Sequence, residues 1–218
     1  MYKITFNIEA PICFIDHPIF DGLILYCHMK KKYGNVLVEY NENELCEIPI
    51  KIHEEEYPLS SIMFFDKSIE FIDTWKKRWD NQNDDLSDFK GKKRKIIINR
   101  AKFKSYQVPI NLNSIKKVWF FFESDNIKEI SLLLNNYLVG IGKKVSQGFG
   151  FFSSFKIEKE KELSFETNLL RPMNINLYST QKLIKRIDKK TYYERFYAWK
   201  PVYSDPKNFT DCIYPEVI

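Results

Sequence analysis

Gly140-Ile141-Gly142-Lys143-Lys144-Val145-Ser146-Gln147-Gly148-Phe149-Gly150 is the stretch on which the reading of this chain turns. Four of the seven glycines in 218 residues fall inside it, around two adjacent lysines. Glycine tolerates positive φ and lets other atoms approach the backbone closely, and lysines on such a turn can meet a polyanion. The run Gly140-x-Gly142-Lys143-Lys144-x-Ser146 superficially resembles a phosphate-binding loop, but that loop follows a strand and opens a helix. Here the order is reversed. Asn126–Leu138 reads as a helix with Ile127, Ile130, Leu133, Leu134 and Tyr137 on one face, Gly140 is placed to be its C′ residue, and a strand follows at about 149–158. The dinucleotide fingerprint fails too, because Val145 stands where its third glycine belongs. Gln147-Gly148-Phe149-Gly150-Phe151-Phe152 approaches the RNP1 pattern of RNA-recognition domains, departing at Gln147 and Ser154. The plain alternative is a helix-to-strand turn that needs glycines, with Phe149, Phe151 and Phe152 in the core.

On the N-terminal side of the loop, residues 2–9 alternate: Tyr2, Ile4, Phe6 and Ile8 share one face, and Lys3, Thr5, Asn7 and Glu9 the other, which predicts a half-buried strand. A turn around Asp16-His17-Pro18 leads to a helix capped by Asp21 and stopped by Gly34, with Leu23, Tyr26 and Cys27 at helical spacing. Residues 45–53 and 61–66 read as strands, 80–91 as a polar loop, and 116–123 as the strongest strand. Lys90–Lys104 contains Lys92, Lys93, Arg94, Lys95, Arg100, Lys102 and Lys104 with no acidic residue, and Ile96-Ile97-Ile98 inside it suggests a strand or hairpin. The order of elements suits an α+β, ferredoxin-like (RRM-like) sandwich over residues 1–160, with the glycine-rich loop at 140–150 and a basic insertion at about 80–106. Residues 161–218, rich in proline and tyrosine, read as a mostly irregular extension packed on that domain.

An apolar share of 44% with 16% aromatics permits a real core. A net charge of +5 permits an RNA, DNA or other anionic partner. Cys13, Cys27, Cys46 and Cys212 form no CxxC pair and no zinc spacing, and scattered thiols suit a reducing cytoplasm. With no signal-like N-terminus and no apolar run of spanning length, the expectation is a cytoplasmic protein without a membrane, metal or cofactor requirement.

Ordered along the chain, four stretches resemble the CRISPR-associated RAMP superfamily. They are His17-Pro18-Ile19-Phe20-Asp21-Gly22-Leu23-Ile24-Leu25, then Phe103-Lys104-Ser105-Tyr106-Gln107-Val108-Pro109, then Leu138-Val139 through the glycine loop to Gly150. The fourth is the tail, with Leu170-Arg171-Pro172, Pro201-Val202-Tyr203 and Cys212-Ile213-Tyr214-Pro215. More narrowly, the chain is similar to the type IV member that caps the crRNA 5′ handle. The resemblance implies a ferredoxin-like RAMP domain and a non-catalytic RNA-binding subunit of an antiviral ribonucleoprotein complex. Its implied partners are the crRNA 5′ handle, a backbone subunit, a large subunit and target nucleic acid. By position it implies that Gly140, Gly142, Gly148 and Gly150 shape the loop and that Lys143 and Lys144 meet RNA phosphates. Gln147 and the cations of the basic insertion join them as RNA-binding candidates.

Two other readings stand beside it. An endoribonuclease of the same superfamily would cut repeat RNA without metal, with His28 as general base near Tyr26 and Lys30, since histidine titrates near neutrality. A protein-only scaffold would instead use the basic segment on an acidic neighbour. Tyr106 and Phe103 are candidates for base stacking.

Overall fold

Ile4 and Phe6 point to one side of their strand, and Lys3, Thr5 and Asn7 to the other. In the computed structural model, which describes residues 1–34, 47–77, 106–201, 203 and 205–216, this segment is β1 (Tyr2–Ile8), at the centre of a four-stranded sheet. The chain continues through α1 (Phe20–Tyr33), β2 (Phe64–Phe65), a hairpin of β3 (Ile69–Lys77) and β4 (Tyr106–Ser114), then β5 (Lys117–Phe122), α2 (Ile127–Tyr137) and β6 (Phe152–Lys159). The sheet order is β2-β5-β1-β6, with every neighbouring pair antiparallel. With the β3–β4 hairpin set aside, this is a βαββαβ chain whose first and third strands are central, the ferredoxin-like arrangement. The basic cluster Lys92–Lys104 lies outside the described residues.

Period-two alternation puts Ile4, Phe6, Val118, Phe120 and Phe122 on one sheet face, against Phe20, Ile24 and Cys27 of α1 and Ile130, Leu133 and Leu134 of α2. Each such side chain contributes about 1.5–3 kcal/mol by leaving water. Asn126 caps α2 reciprocally: its Oδ1 accepts from Glu129 N (3.1 Å) and its amide donates to Glu129 Oε2 (3.1 Å).

Four local expectations change. Asp21 does not cap α1; Ile19 holds that position without a side-chain bond, and Asp21 is buried in the first turn, bonded to the C-terminal extension. That rotates the helix, so Phe20, Ile24 and Cys27 face the core while Tyr26 is 51% exposed. The expected strand at 45–53 is, over its described residues, a tight 3-10 and bend segment, with one bridge from Ile52 to Pro58. The strand at 61–66 contracts to Phe64–Phe65, because Ser61, Ile62 and Met63 donate to three different segments: Phe121 O, Leu170 O and Pro18 O. Gly140 is not the C′ residue of α2; the helix closes at Leu138, and Gly140 bridges Phe151.

Residues 161–218 are more regular than their proline spacing suggests. They contain a three-stranded antiparallel sheet, β7 (Met173–Asn174), β9 (Phe209–Pro215) and β8 (Tyr192–Ala198) in that spatial order, and the short helix α3 (Tyr178–Ile184). Phe165 and Leu170 cover Phe121 on the open face of the main sheet. Arg171 enters the interior, its side chain 1% exposed, where it donates to Asp21 Oδ2 (3.2 Å), Trp199 O (2.7 Å), Tyr203 Oη (3.2 Å) and Pro58 O. The Tyr203 hydroxyl in turn donates to the Asp21 carboxylate (2.6 Å). Burial and the Asp21 charge hold the Tyr203 pKa well above its ordinary value, which keeps that proton in place.

Candidate nucleic-acid interface

Where β1 leaves the sheet, residues 9–13 are bonded on both sides. Glu9 N donates to Phe151 O (2.9 Å), Gly150 N to Pro11 O (2.9 Å), Ile12 and Asn113 exchange backbone bonds (2.9 Å each), and Lys143 N donates to Cys13 O (2.6 Å). The glycine loop therefore sits on one flank of this segment and the base of the inserted hairpin on the other. Cys13, Ile110, Leu112 and Phe149 form an apolar cluster that joins the three.

Within the loop, Ile141 N bonds Gly150 O (2.9 Å), pulling the two ends of the loop together. A Cβ on Gly150 (φ 70) would lie 1.9 Å from Ile141 O, so no other residue fits there. Gly140 meets Gly150 O and Gly142 meets Cys13 O at the crossings of the loop with its neighbours. Lys144 is held in the left-handed region (φ 60), then Val145–Gln147 make one 3-10 turn, and Gly148 (φ 98) reverses the chain. Lys143 is anchored through its backbone with its side chain exposed; Lys144 is half-buried, and Gln147 is exposed. The structure thus brings Gly140, Gly142, Lys143, Lys144, Gln147, Gly148 and Gly150 into one braced turn. Lys92, Lys93, Arg94, Lys95, Arg100, Lys102 and Lys104 fall outside the described residues, but in sequence they lie between β3 and β4.

Two of the three aromatics of the RNP1-like hexamer are packed away from the open sheet face. Phe149 packs under the loop, Phe151 is 38% exposed, and the Phe152 ring meets Phe6 on the helix side (5.0 Å between centroids). On the open face, Lys3 sits over Trp119 (4.7 Å) beside the covered Phe121. Tyr106 is in the ladder opposite Lys77, and Phe103 is not among the described residues.

His28 lies elsewhere. Its Nε2 is 3.2 Å from Glu47 Oε2, the same oxygen that Lys32 reaches at 2.9 Å, and Lys30 Nζ donates to Tyr26 Oη (3.4 Å). One turn further on, Lys31 pairs with Glu129 at the start of α2 (3.5 Å), whereas the glycine loop follows the other end of α2.

A second feature escaped sequence reading. The turn 14–17, Phe65 and the face of the hairpin bearing Asn111 enclose a groove of ≈ 790 Å³. His17 Nδ1 lies 2.9 Å from Met63 O, and its ring stacks on Phe65 (5.5 Å, 8°) and meets Phe14 edge-on (5.3 Å). Burial lowers the His17 pKa from its ordinary value. These residues come from three separate segments, and no local pattern marks them.

Among the described residues, no three His, Cys, Asp or Glu side chains converge to hold a metal ion, and no helix is long and apolar enough to cross a membrane.

The class defined by this topology is a ferredoxin-like α+β domain with an inserted hairpin and a C-terminal extension. No protein-family model matches the chain, and no curated protein does. Among solved structures, it is similar to a chain in the cryo-EM structure of the Type III-B Cmr-beta bound to cognate target RNA. The identity is 13% and the TM-score 0.39, with 72% of this chain covered and 61% of that one. The chain therefore spans about three-fifths of the length of that solved chain.

Proposed function

We propose that this chain is a non-catalytic RNA-binding subunit of a CRISPR effector ribonucleoprotein of the RAMP kind, one that caps the 5′ repeat-derived handle of the guide RNA and anchors its backbone subunits. The observation that carries the reading is the braced glycine turn with Lys143 exposed on it, set beside the base of the inserted hairpin. A turn fixed by backbone bonds presents cations at constant positions, and phosphate contacts from such cations give affinity that weakens as salt rises. In sequence, Lys92, Lys93, Arg94, Lys95, Arg100, Lys102 and Lys104 add cations between β3 and β4. The resemblance of the four stretches to handle-capping subunits, of type IV in particular, gives the reading its RNA and its neighbours: a backbone subunit, a large subunit and a nucleic-acid target.

The test is titration of purified protein with 5′-tag RNA over a range of salt. Wild-type protein binds the RNA and leaves it uncut. Lys143→Ala with Lys144→Ala weakens binding and reduces the slope of log affinity against log salt by about 0.7 for each phosphate that no longer has a lysine beside it. Unchanged affinity and slope in that variant would sink the assignment. His28→Ala leaves both unchanged; metal-free cutting of a repeat hairpin, abolished by His28→Ala, would replace this reading with the endoribonuclease.

A further inference from the structure

We propose that the groove between the inserted hairpin and the 14–17 turn is a nucleobase subsite: one base splayed out of the RNA held by the glycine loop stacks on the parallel His17–Phe65 pair, which Phe14 braces edge-on, and Asn111 bonds its edge. The inference rests on the RNA-binding reading above and names the part of the RNA that this second surface takes.

The ≈ 790 Å³ of the groove falls in the range of small-molecule sites, ample for a base and its sugar. Its aromatic wall is already assembled. His17 lies nearly parallel to Phe65 (8°), and Phe14 braces the pair edge-on. All three rings are half-buried, so they lose little rotamer freedom when a base stacks on them. The rim is apolar and open, with Ile15 77% and Ile72 70% exposed.

The polar groups suit a base edge better than a phosphate. The Met63 carbonyl can only accept, so Nδ1 of His17 carries the ring proton. Burial disfavours a second proton, which leaves Nε2 as a lone-pair acceptor. The exposed Asn111 amide offers both a donor and an acceptor, as base edges do. Asn113 Oδ1 accepts from Ser68 Oγ (2.8 Å), which leaves the Asn113 amide hydrogens as further donors. Among the described residues, Glu70 is the one charged side chain lining the groove, and its carboxylate repels phosphate while leaving a neutral base unopposed.

Position supplies the occupant. Cys13 O holds the Lys143 backbone, and Phe14 is the next residue. Aromatic stacking is sequence-tolerant and worth about 1–3 kcal/mol per base, so it adds affinity without adding counterion release.

The experiment is photocrosslinking of the full chain to a pool of single-stranded RNAs carrying 5-iodouridine, with mapping of the adducts, alongside affinity measurements over a range of salt. Adducts are expected on the peptides holding Phe14, His17 or Phe65. Phe65→Ala is expected to weaken binding about tenfold with the salt slope unchanged. Asn111 is exposed, so Asn111→Ala keeps the fold and should still lower affinity and crosslink yield. Adducts confined to other surfaces, or wild-type affinity and yield in Asn111→Ala, overturn the subsite while RNA binding stands. A groove that protects against labelling only when a protein partner is added overturns it also. If wild-type protein binds no RNA, the RNA reading itself has failed.

Discussion

At the glycine loop, backbone bonds to backbone: Ile141 to Gly150, Gly150 to Pro11, Lys143 to Cys13. Ile141 is buried and Phe149 packs beneath the loop, but Lys143, Ser146 and Gln147 on its outer side are exposed. Where the C-terminal extension meets α1, side chains do the joining: Arg171 reaches Asp21, Tyr203 and the backbone carbonyls of Pro58, Ser60 and Trp199 with 1% of its side chain exposed. Each region is vulnerable in its own way. A loop held by its backbone tolerates loss of an exposed side chain, so Lys143 can serve a ligand without serving the fold. A buried ion pair tolerates no such loss, because removing one partner strands the other in a low-dielectric interior.

Breaking the buried cluster has the largest expected effect. Arg171→Ala should lower unfolding free energy by about 3–5 kcal/mol in chemical denaturation. Replacing Arg171, Asp21 and Tyr203 together by Met, Leu and Phe should recover most of that loss. A cost below about 1 kcal/mol for Arg171→Ala would erase the contrast.

Next comes the loop backbone. Gly150→Ala places a Cβ 1.9 Å from Ile141 O at φ 70, so the turn must open; melting temperature and RNA affinity should fall together. Gly148→Ala meets nothing within 4 Å and carries only the strain of φ 98, about 1–2 kcal/mol, with affinity retained. Equal effects from the two variants would show that the close approach to Ile141 does not shape the loop.

The smallest effect concerns the groove. Burial lowers the His17 pKa below its ordinary 6.5, although the nearby Asp16 charge and the bond to Met63 O oppose the shift. The unfolded chain therefore takes up the proton first. Stability from this site is full above pH 6.5 and declines as pH falls from 6.5 towards the folded pKa. His17→Phe, which keeps the stacked ring, should flatten that part of the denaturation profile. An unchanged profile would remove His17 as its source.

Much of the fold was readable in order along the chain. The alternation of Tyr2–Ile8, the apolar stripe of α2 with Asn126 before it, and Gly34 after Tyr33 each name an element through local physics. Glycines at 142, 148 and 150 announced a turn, and all three have positive φ. Asp21 misled because aspartate at a helix start is usually a cap, and its true partners lie 150 and 182 residues away in sequence. Residues 45–53 misled because apolar content says that side chains are buried, not that the backbone pairs. The groove was invisible for a related reason: Phe14, Phe65 and Asn111 are ordinary until the hairpin folds beside the 14–17 turn.

Residue order alone specifies the succession of strands and helices, the position of the glycine turn and the presence of lysines on it, since periodicity and φ preference act within a few residues. Folding in three dimensions was needed to assign each strand its place in the sheet, to join the loop to the hairpin through residues 9–13, and to fasten the extension to α1 through Arg171. Those arrangements depend on backbone bonds and charge pairing between segments far apart in the chain, which local propensities do not encode.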